Sequence, residues 1–190
     1  MSGPAFLRGD RVDLHPIEEE DLPFLAEMIN DPDVWGTLRT RGPKNQHQER
    51  EWWEGLGDRD GVSLLIVVDG DPVGNTGFGD VDENWGTAEV GYAVHPDYWG
   101  NGYATEAVTL LTRYAFEERR LAKLTAGVYA HNPASMRVLE KAGYHEEAVL
   151  EREAFVGGER VDLHRFAAHA GSWTPEAVDG SERAGEETSG

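Results

Sequence analysis

The run Trp99-Gly100-Asn101-Gly102-Tyr103-Ala104-Thr105 sets two glycines directly before a stretch whose apolar residues, Ala107, Val108, Leu110, Leu111 and Ala115, recur at helical spacing. Glycine permits a tight turn free of side chains. A helix start leaves its first N–H groups without internal partners, and together they carry roughly half a positive charge. A glycine loop leading into such a start is therefore an anion site, with phosphate or pyrophosphate as its natural guest. Two familiar loops do not fit. A P-loop needs Gly-Lys-Ser/Thr, and no lysine is present. A dinucleotide-binding fingerprint needs a third glycine where Thr105 stands and an acidic strand-end residue about 20 positions on.

The elements that must hold this loop are read outward from it. The apolar run 90–94 ends before Pro96, which lacks a backbone donor, so a strand stops near His95. Upstream, residues 11–14 alternate polar and apolar, and Pro16 closes a first strand. Glu18-Glu19-Glu20-Asp21 suits a helix start, ahead of Leu22, Phe24, Leu25, Met28 and Ile29 at helical spacing. Asn30-Asp31-Pro32-Asp33 ends that helix and opens a loop through Trp35 to Pro43, and 46–56 reads as a second helix. The apolar run 62–68 and residues 73–80 form strands across a turn at Asp69-Gly70-Asp71. A third antiparallel strand, 87–94, follows the turn at Asn84-Trp85-Gly86. Downstream come a helix over about 102–119 and a strand over 123–129, reached by a crossover and hence parallel to 90–94. Pro133 suits the first turn of a last helix and Gly143 its C′ position. A hairpin, 144–155 and 162–168, closes at Gly157-Gly158. Residues 1–170 make a single domain. The acidic stretch 171–190, rich in Gly, Ser, Glu and Pro, predicts a disordered tail.

The loop resembles the acyl-CoA loop of the GNAT N-acetyltransferases, Gln/Arg-x-x-Gly-x-Gly/Ala, with the frame on Trp99 to Ala104. Trp99 departs from the general first position. The longer string from Tyr98 to Ala107 is similar to the RimJ/RimL branch of ribosomal-protein N-acetyltransferases, which often carries Trp-Gly there. A second stretch, Asn132-Pro133-Ala134-Ser135 followed by Val138-Leu139-Glu140-Lys141-Ala142-Gly143-Tyr144, resembles the family's Asn-x-x-Ser helix ending in Lys-x-Gly-Phe/Tyr. The resemblance covers residues 6–168.

It implies an α+β fold (α/β in some schemes) with a mixed, mostly antiparallel sheet of about seven strands and about four helices, splayed between the strand ending near Val94 and the strand 123–129. It implies acetyl-CoA as co-substrate and direct transfer to a primary amine in a ternary complex. Backbone at Ala93 and Val94 would meet the pantetheine and acetyl groups. Trp99, Gly100, Asn101, Gly102, Tyr103, Ala104 and Thr105 would hold the pyrophosphate, Asn132 the pantetheine amides, and Arg137 and Lys141 the nucleotide phosphates. Glu89 is the general-base candidate, and Ser135 the proton donor, with Tyr129 in reserve. Glu89 reads equally as a solvated strand carboxylate, Ser135 as a helix cap, and Arg137 and Lys141 as a solvated helix face. Trp35, Thr37 and Trp52 would wall the acceptor side, although the Trp52-Trp53 pair is more ordinarily core. The acceptor is a protein N-terminal α-amine or a small amine such as a polyamine, amino acid or aminoglycoside. A non-catalytic acyl-CoA sensor is the contrasting possibility, opposed by Glu89, Asn132 and Ser135.

With 39% hydrophobic residues in 190, the chain can bury a sizeable single core. Having no Cys, it has no disulfide, thiolate metal site or cysteine nucleophile. The seven His show no metal spacing with carboxylates, so no metal is expected, and no serine sits in a nucleophile elbow, so neither is a covalent acyl-enzyme. The opening residues lack a basic-then-apolar signal pattern and no run approaches a membrane span, which predicts a cytoplasmic protein, monomer or homodimer. The 36 acidic residues outnumber the 17 basic ones, for a formal charge of −19, and only Lys44, Lys123 and Lys141 are lysines. That balance disfavours nucleic acid and anionic membranes as partners. It points to a halophilic protein working in high salt; the alternative is a mildly acidic mesophilic enzyme with an acidic tail.

Overall fold

The computed structural model describes residues 3–39 and 42–176. A strand sends successive side chains to opposite faces, so the apolar run of β3 (Val62–Val68) must be covered on both sides. Leu64, Ile66 and Val68 join one core with Ala107 and Leu111 of α4 (Tyr103–Glu117), whereas Leu65 and Val67 join a second with Leu22, Leu25 and Met28 of α1 (Leu22–Asn30). Helices therefore lie on both faces of one sheet.

The sheet has eight strands, one more than expected, in the order β1-β2-β3-β4-β5-β6-β8-β7. The first expected strand is a short hairpin, β1 (Leu7–Arg8) and β2 (Asp13–Pro16), with Arg11 in its turn rather than its strand. β4 (Asp71–Asp82), β5 (Thr87–Val94), β6 (Lys123–Tyr129), β7 (His145–Val156) and β8 (Glu159–His169) follow. There are five α-helices among the described residues, the addition being α2 (Pro32–Trp35) inside the expected loop. Its cause is local: the Asp31 side chain accepts from Asp33 N, and Pro32 occupies the first turn. α3 spans Gln46–Glu54 and α5 spans Pro133–Lys141.

β5 and β6 are parallel but pair only at Thr87–Lys123, Ala88–Leu124 and Glu89–Thr125. Beyond Glu89 the strands part, β5 staying with β4 and β6 with β8. The sheet is thus wedged open where the splay was expected.

The chain beyond Gly171 does more than a solvated tail would, as far as it is described. Trp173 stacks edge-on against Phe116 at 5.7 Å, and its Nε1 donates to Ala142 O (2.8 Å), while Glu176 N donates to Lys141 O (2.9 Å). With Gly143 N on Glu140 O and Tyr144 N on Leu139 O, every carbonyl from Leu139 to Ala142 has a donor. Gly143 has φ +85°, and a Cβ there would meet Thr174 O, Trp173 Nε1 and Pro175 N at 2.9–3.0 Å. Residues 177–190 lie outside the described part.

Candidate functional site

A cavity of about 1320 Å³ opens in the wedge and runs from α1 and α3 to the start of α4 and α5. At its β5 end the chain turns through Gly100 (φ +82°) and Gly102 (φ +77°) into α4. These left-handed angles are the reason for both glycines. Gly102 is the N-cap and offers no side chain to the helix, so the N–H groups of Tyr103, Ala104 and Thr105 face the cavity end uncapped by a side chain.

Two contacts lock this loop, and neither was foreseen. Trp99 Nε1 donates to Val94 O (2.6 Å), fastening the loop to the end of β5. Arg11 Nη1 donates to Asn101 O (3.0 Å), and Arg11 is itself held by Glu106, Nε to Oε2 at 3.0 Å and N to Oε1 at 2.8 Å. Glu106 is almost wholly buried, so a charged partner and two backbone N–H groups, those of Arg11 and Val12, accompany it inside. The Arg11 guanidinium adds positive charge beside the loop, 3.0 Å from where a Cβ of residue 102 would stand. No local pattern could announce a contact across 95 positions.

Most residues expected at the site converge on the cavity. Glu89, Ala93, Val94, Gly100, Ala104 and Thr105 line it from β5 and the loop, and Asn132, Ser135, Arg137 and Lys141 from α5. Trp99, Gly102, Tyr103, Thr37 and Trp52 also reach it. Two do not. Trp35 is half exposed and lies off the cavity, and the Asn101 side chain turns back to Tyr98 O and Trp99 O. Trp53 belongs to the second core and donates from Nε1 to Ile17 O (2.7 Å).

Ser135 is not the helix cap. Asn132 is, its Oδ1 accepting from Ser135 N (3.1 Å), which leaves the Ser135 hydroxyl for another partner. That partner is Tyr92, whose OH lies 2.7 Å from Ser135 Oγ. Tyr92 points from β5 across the wedge, and burial pushes its phenol well above the ordinary value, against the pull of the Ser135 hydrogen bond. It therefore stays protonated and donates to the backbone carbonyl of Ser135 (3.0 Å). Sequence reading took Tyr92 as one apolar residue in a strand. Tyr129, held in reserve for this role, aims its OH at Leu38 O (3.4 Å) instead.

Glu89 carries an ion pair with Arg39, Nη1 to Oε1 at 2.6 Å. The hydrogen bond and charge of Glu89 hold the Arg39 guanidinium above its ordinary pKa, and Asp80 adds to this. Asp80 has φ +51° within the irregular β4–β5 pairing between Gly79 and Asp82. Such interruptions re-aim side chains, and aspartate tolerates the left-handed region. The charged lining divides by element: Asp58, Asp60, Asp80 and Glu89, with Arg39 and Arg59, come from the segments after α2 and α3 and from β4 and β5, whereas α5 contributes Arg137 and Lys141 and no carboxylate.

Residues 11–145 match the family model described as the acetyltransferase (GNAT) domain. The chain belongs to the GNAT acetyltransferases. It is similar to Bacillus subtilis YkkB, 36% identical over 160 residues, covering 80% of this chain and 92% of that one. It is 26% identical over 164 residues to the N-acetyltransferase p20 of Bacillus licheniformis, 83% of this chain and 92% of that one. In fold it is similar to Vibrio cholerae spermidine N-acetyltransferase in complex with CoA and spermine (TM-score 0.81, 19% identity, covering 86% of this chain and 98% of that one). The same holds for Mycobacterium smegmatis RimJ in complex with CoA-disulfide (TM-score 0.78, 24% identity, 90% and 87%). This GNAT protein is an acetyl-CoA-dependent N-acetyltransferase.

The residues present suit that co-substrate. The uncapped α4 start could take a pyrophosphate, the part of β5 that no longer pairs with β6 beyond Glu89 could take pantetheine amides, and the α5 cations could take the remaining phosphates. No described helix is long and apolar enough to cross a membrane.

Proposed function

We propose that this GNAT enzyme acetylates a primary amine on a cationic acceptor, a small polyamine-like molecule in the first instance, and that Glu89 is its general base. The division of charge in the cavity lining carries the reading: apart from the two α5 cations, four carboxylates stand against two guanidinium groups. Acetyl-CoA, when bound, supplies the activated acetyl thioester. Glu89 takes the proton of the acceptor ammonium, directly or through one water, and β5 backbone near Ala93 and Val94 polarises the acetyl carbonyl. The Ser135 hydroxyl, held 2.7 Å from Tyr92 OH, hands a proton to the leaving sulfur. Asn132 uses Oδ1 to cap α5, so its Nδ2 is the atom that meets a pantetheine carbonyl. Arg137 and Lys141 meet the nucleotide phosphates.

A protein N-terminal α-amine is the second reading, favoured by the likeness in fold to RimJ. We place the enzyme in the cytoplasm and read its charge of −19 as adaptation to high salt. The test is thiol release from acetyl-CoA with spermidine, free amino acids, an aminoglycoside and peptides bearing a free α-amine, with product masses. Turnover confined to the peptides refutes the small-cation reading. Turnover of uncharged-tail amines equal to that of spermidine removes the role of the carboxylates.

A further inference from the structure

We infer that Arg39 occupies the place an acceptor ammonium takes beside Glu89, so that acceptor binding and the Arg39–Glu89 ion pair exclude one another. This rests on the cationic-acceptor reading above. Arg39 and Glu89 both line the cavity, and their side chains are 66% and 29% exposed, so the pair stands in the cavity and not in a core. A base must come within about 2.6–3.2 Å of the proton it removes. At Glu89 that distance is already taken by a guanidinium, Nη1 lying 2.6 Å from Oε1. An ammonium on either carboxylate oxygen would meet that second positive charge at close range.

The segment that carries Arg39 can release it. Residues 36–39 leave α2 with Thr37 N on Val34 O (2.9 Å) and Leu38 N on Trp35 O (3.2 Å) at their root. They cross toward β6, where Tyr129 OH on Leu38 O and His131 Nε2 against Gly36 O are both 3.4 Å, the long end of the hydrogen-bond range. The guanidinium is already largely exposed, and the charge of Asp80 also favours it. Arginine is charged at every pH the enzyme meets, so the competition does not fade by titration. Exposed pairs of this kind shift equilibria by about 1.5- to 5-fold, which sets the size of the effect.

The experiment uses the full chain at saturating acetyl-CoA with spermidine as the probe, comparing Arg39→Gln and Arg39→Lys with the parent. Arg39→Gln is expected to lower KM for spermidine about two- to fivefold, while Arg39→Lys, which keeps the competing charge, leaves KM near that of the parent. A KM that rises in Arg39→Gln makes Arg39 an acceptor contact and overturns the inference, as does an unchanged KM. If the parent does not turn over spermidine, the acceptor reading fails, and the latch is judged without turnover. Hydrogen exchange of the amides of Thr37, Leu38 and Arg39 should then quicken in Arg39→Gln, in Glu89→Gln, and in the parent with saturating n-butylammonium. Unchanged exchange in all three overturns it.

Discussion

Trp173 lies in a stretch whose composition speaks only of solvent, yet it closes the end of the helix that carries Asn132 and Ser135. Trp173→Ala removes two interactions. The edge-on contact with Phe116 at 5.7 Å is of a kind that contributes about 0.5–1.5 kcal/mol. The lost donor leaves Ala142 O without its 2.8 Å partner, and since water can reach a site at the surface, the lower end of the usual penalty applies, about 1 kcal/mol. The sum is about 2 kcal/mol, which for a domain of this size lowers Tm by about 4–8 °C. Trp173→Phe keeps a ring against Phe116 and loses only the donor, so it should fall roughly midway. Thermal melts followed by far-ultraviolet circular dichroism, without cofactor, read both. If Trp173→Ala melts within about 1 °C of the parent, the segment is not part of the folded domain and the reasoning fails.

Gly102→Ala should weaken acetyl-CoA binding, seen as a smaller thermal shift, because φ +77° strains any side chain by about 1–2 kcal/mol and a Cβ would press on Arg11; Gly102→Glu should abolish the shift by adding charge at the anion site. Glu89→Gln should keep acetyl-CoA affinity and lower kcat about 10²-fold, and equal turnover would take Glu89 out of the chemistry. Burial raises the Glu49 carboxyl above its ordinary 4.5, only partly offset by Lys44, so what it contributes to stability is present below pH 4.5 and lost as pH rises through the folded value. Glu49→Gln should therefore melt higher than the parent at pH 7, with the difference closing toward pH 4.5, as differential melts across pH would reveal. Stability and acetyl-CoA affinity should both rise from low to about 1 M salt, where screening reaches within about 3 Å; a Tm falling from the lowest salt upward would refute the halophilic reading.

What the sequence disclosed were features whose cause is local. Gly100, Gly102 and Gly143 mark left-handed turns because only glycine enters them freely, and Pro133 and Pro96 fix a helix start and a strand end. The apolar run of β3 announced a strand, which the fold then buries on both faces. What stayed hidden was made by distance or by brevity. Arg11 and Glu106 meet across 95 positions, and Tyr92 meets Ser135 across 43, where no periodicity operates. α2 is a single turn, too short to show a period, although Asp31 and Pro32 spelled its start. Arg39 was passed over inside a presumed loop, and Trp173 was outvoted by its neighbours' polarity. In the candidate site, the loop and α5 were legible as motifs; the partners of Glu89 and Ser135, Arg39 and Tyr92, were not.

The seam between β5 and β6 is only three residue pairs long, so the two sides of the sheet are joined mainly by the side chains of one core that runs across it, from Leu14 and Ile66 to Leu124 and Phe166. Strands β1 to β5 follow one another in sequence and in the sheet, β6 pairs with β8, and α4 connects the two sides, so opening the wedge costs the core contacts that cross it. A ligand lodged in the wedge touches both parts and binds only while they are joined, so it shifts the balance against opening by mass action. Opening is the step that exposes a chain to proteases. Bound acetyl-CoA should therefore slow cleavage of the folded chain by a protease, as limited digestion with and without the cofactor would show.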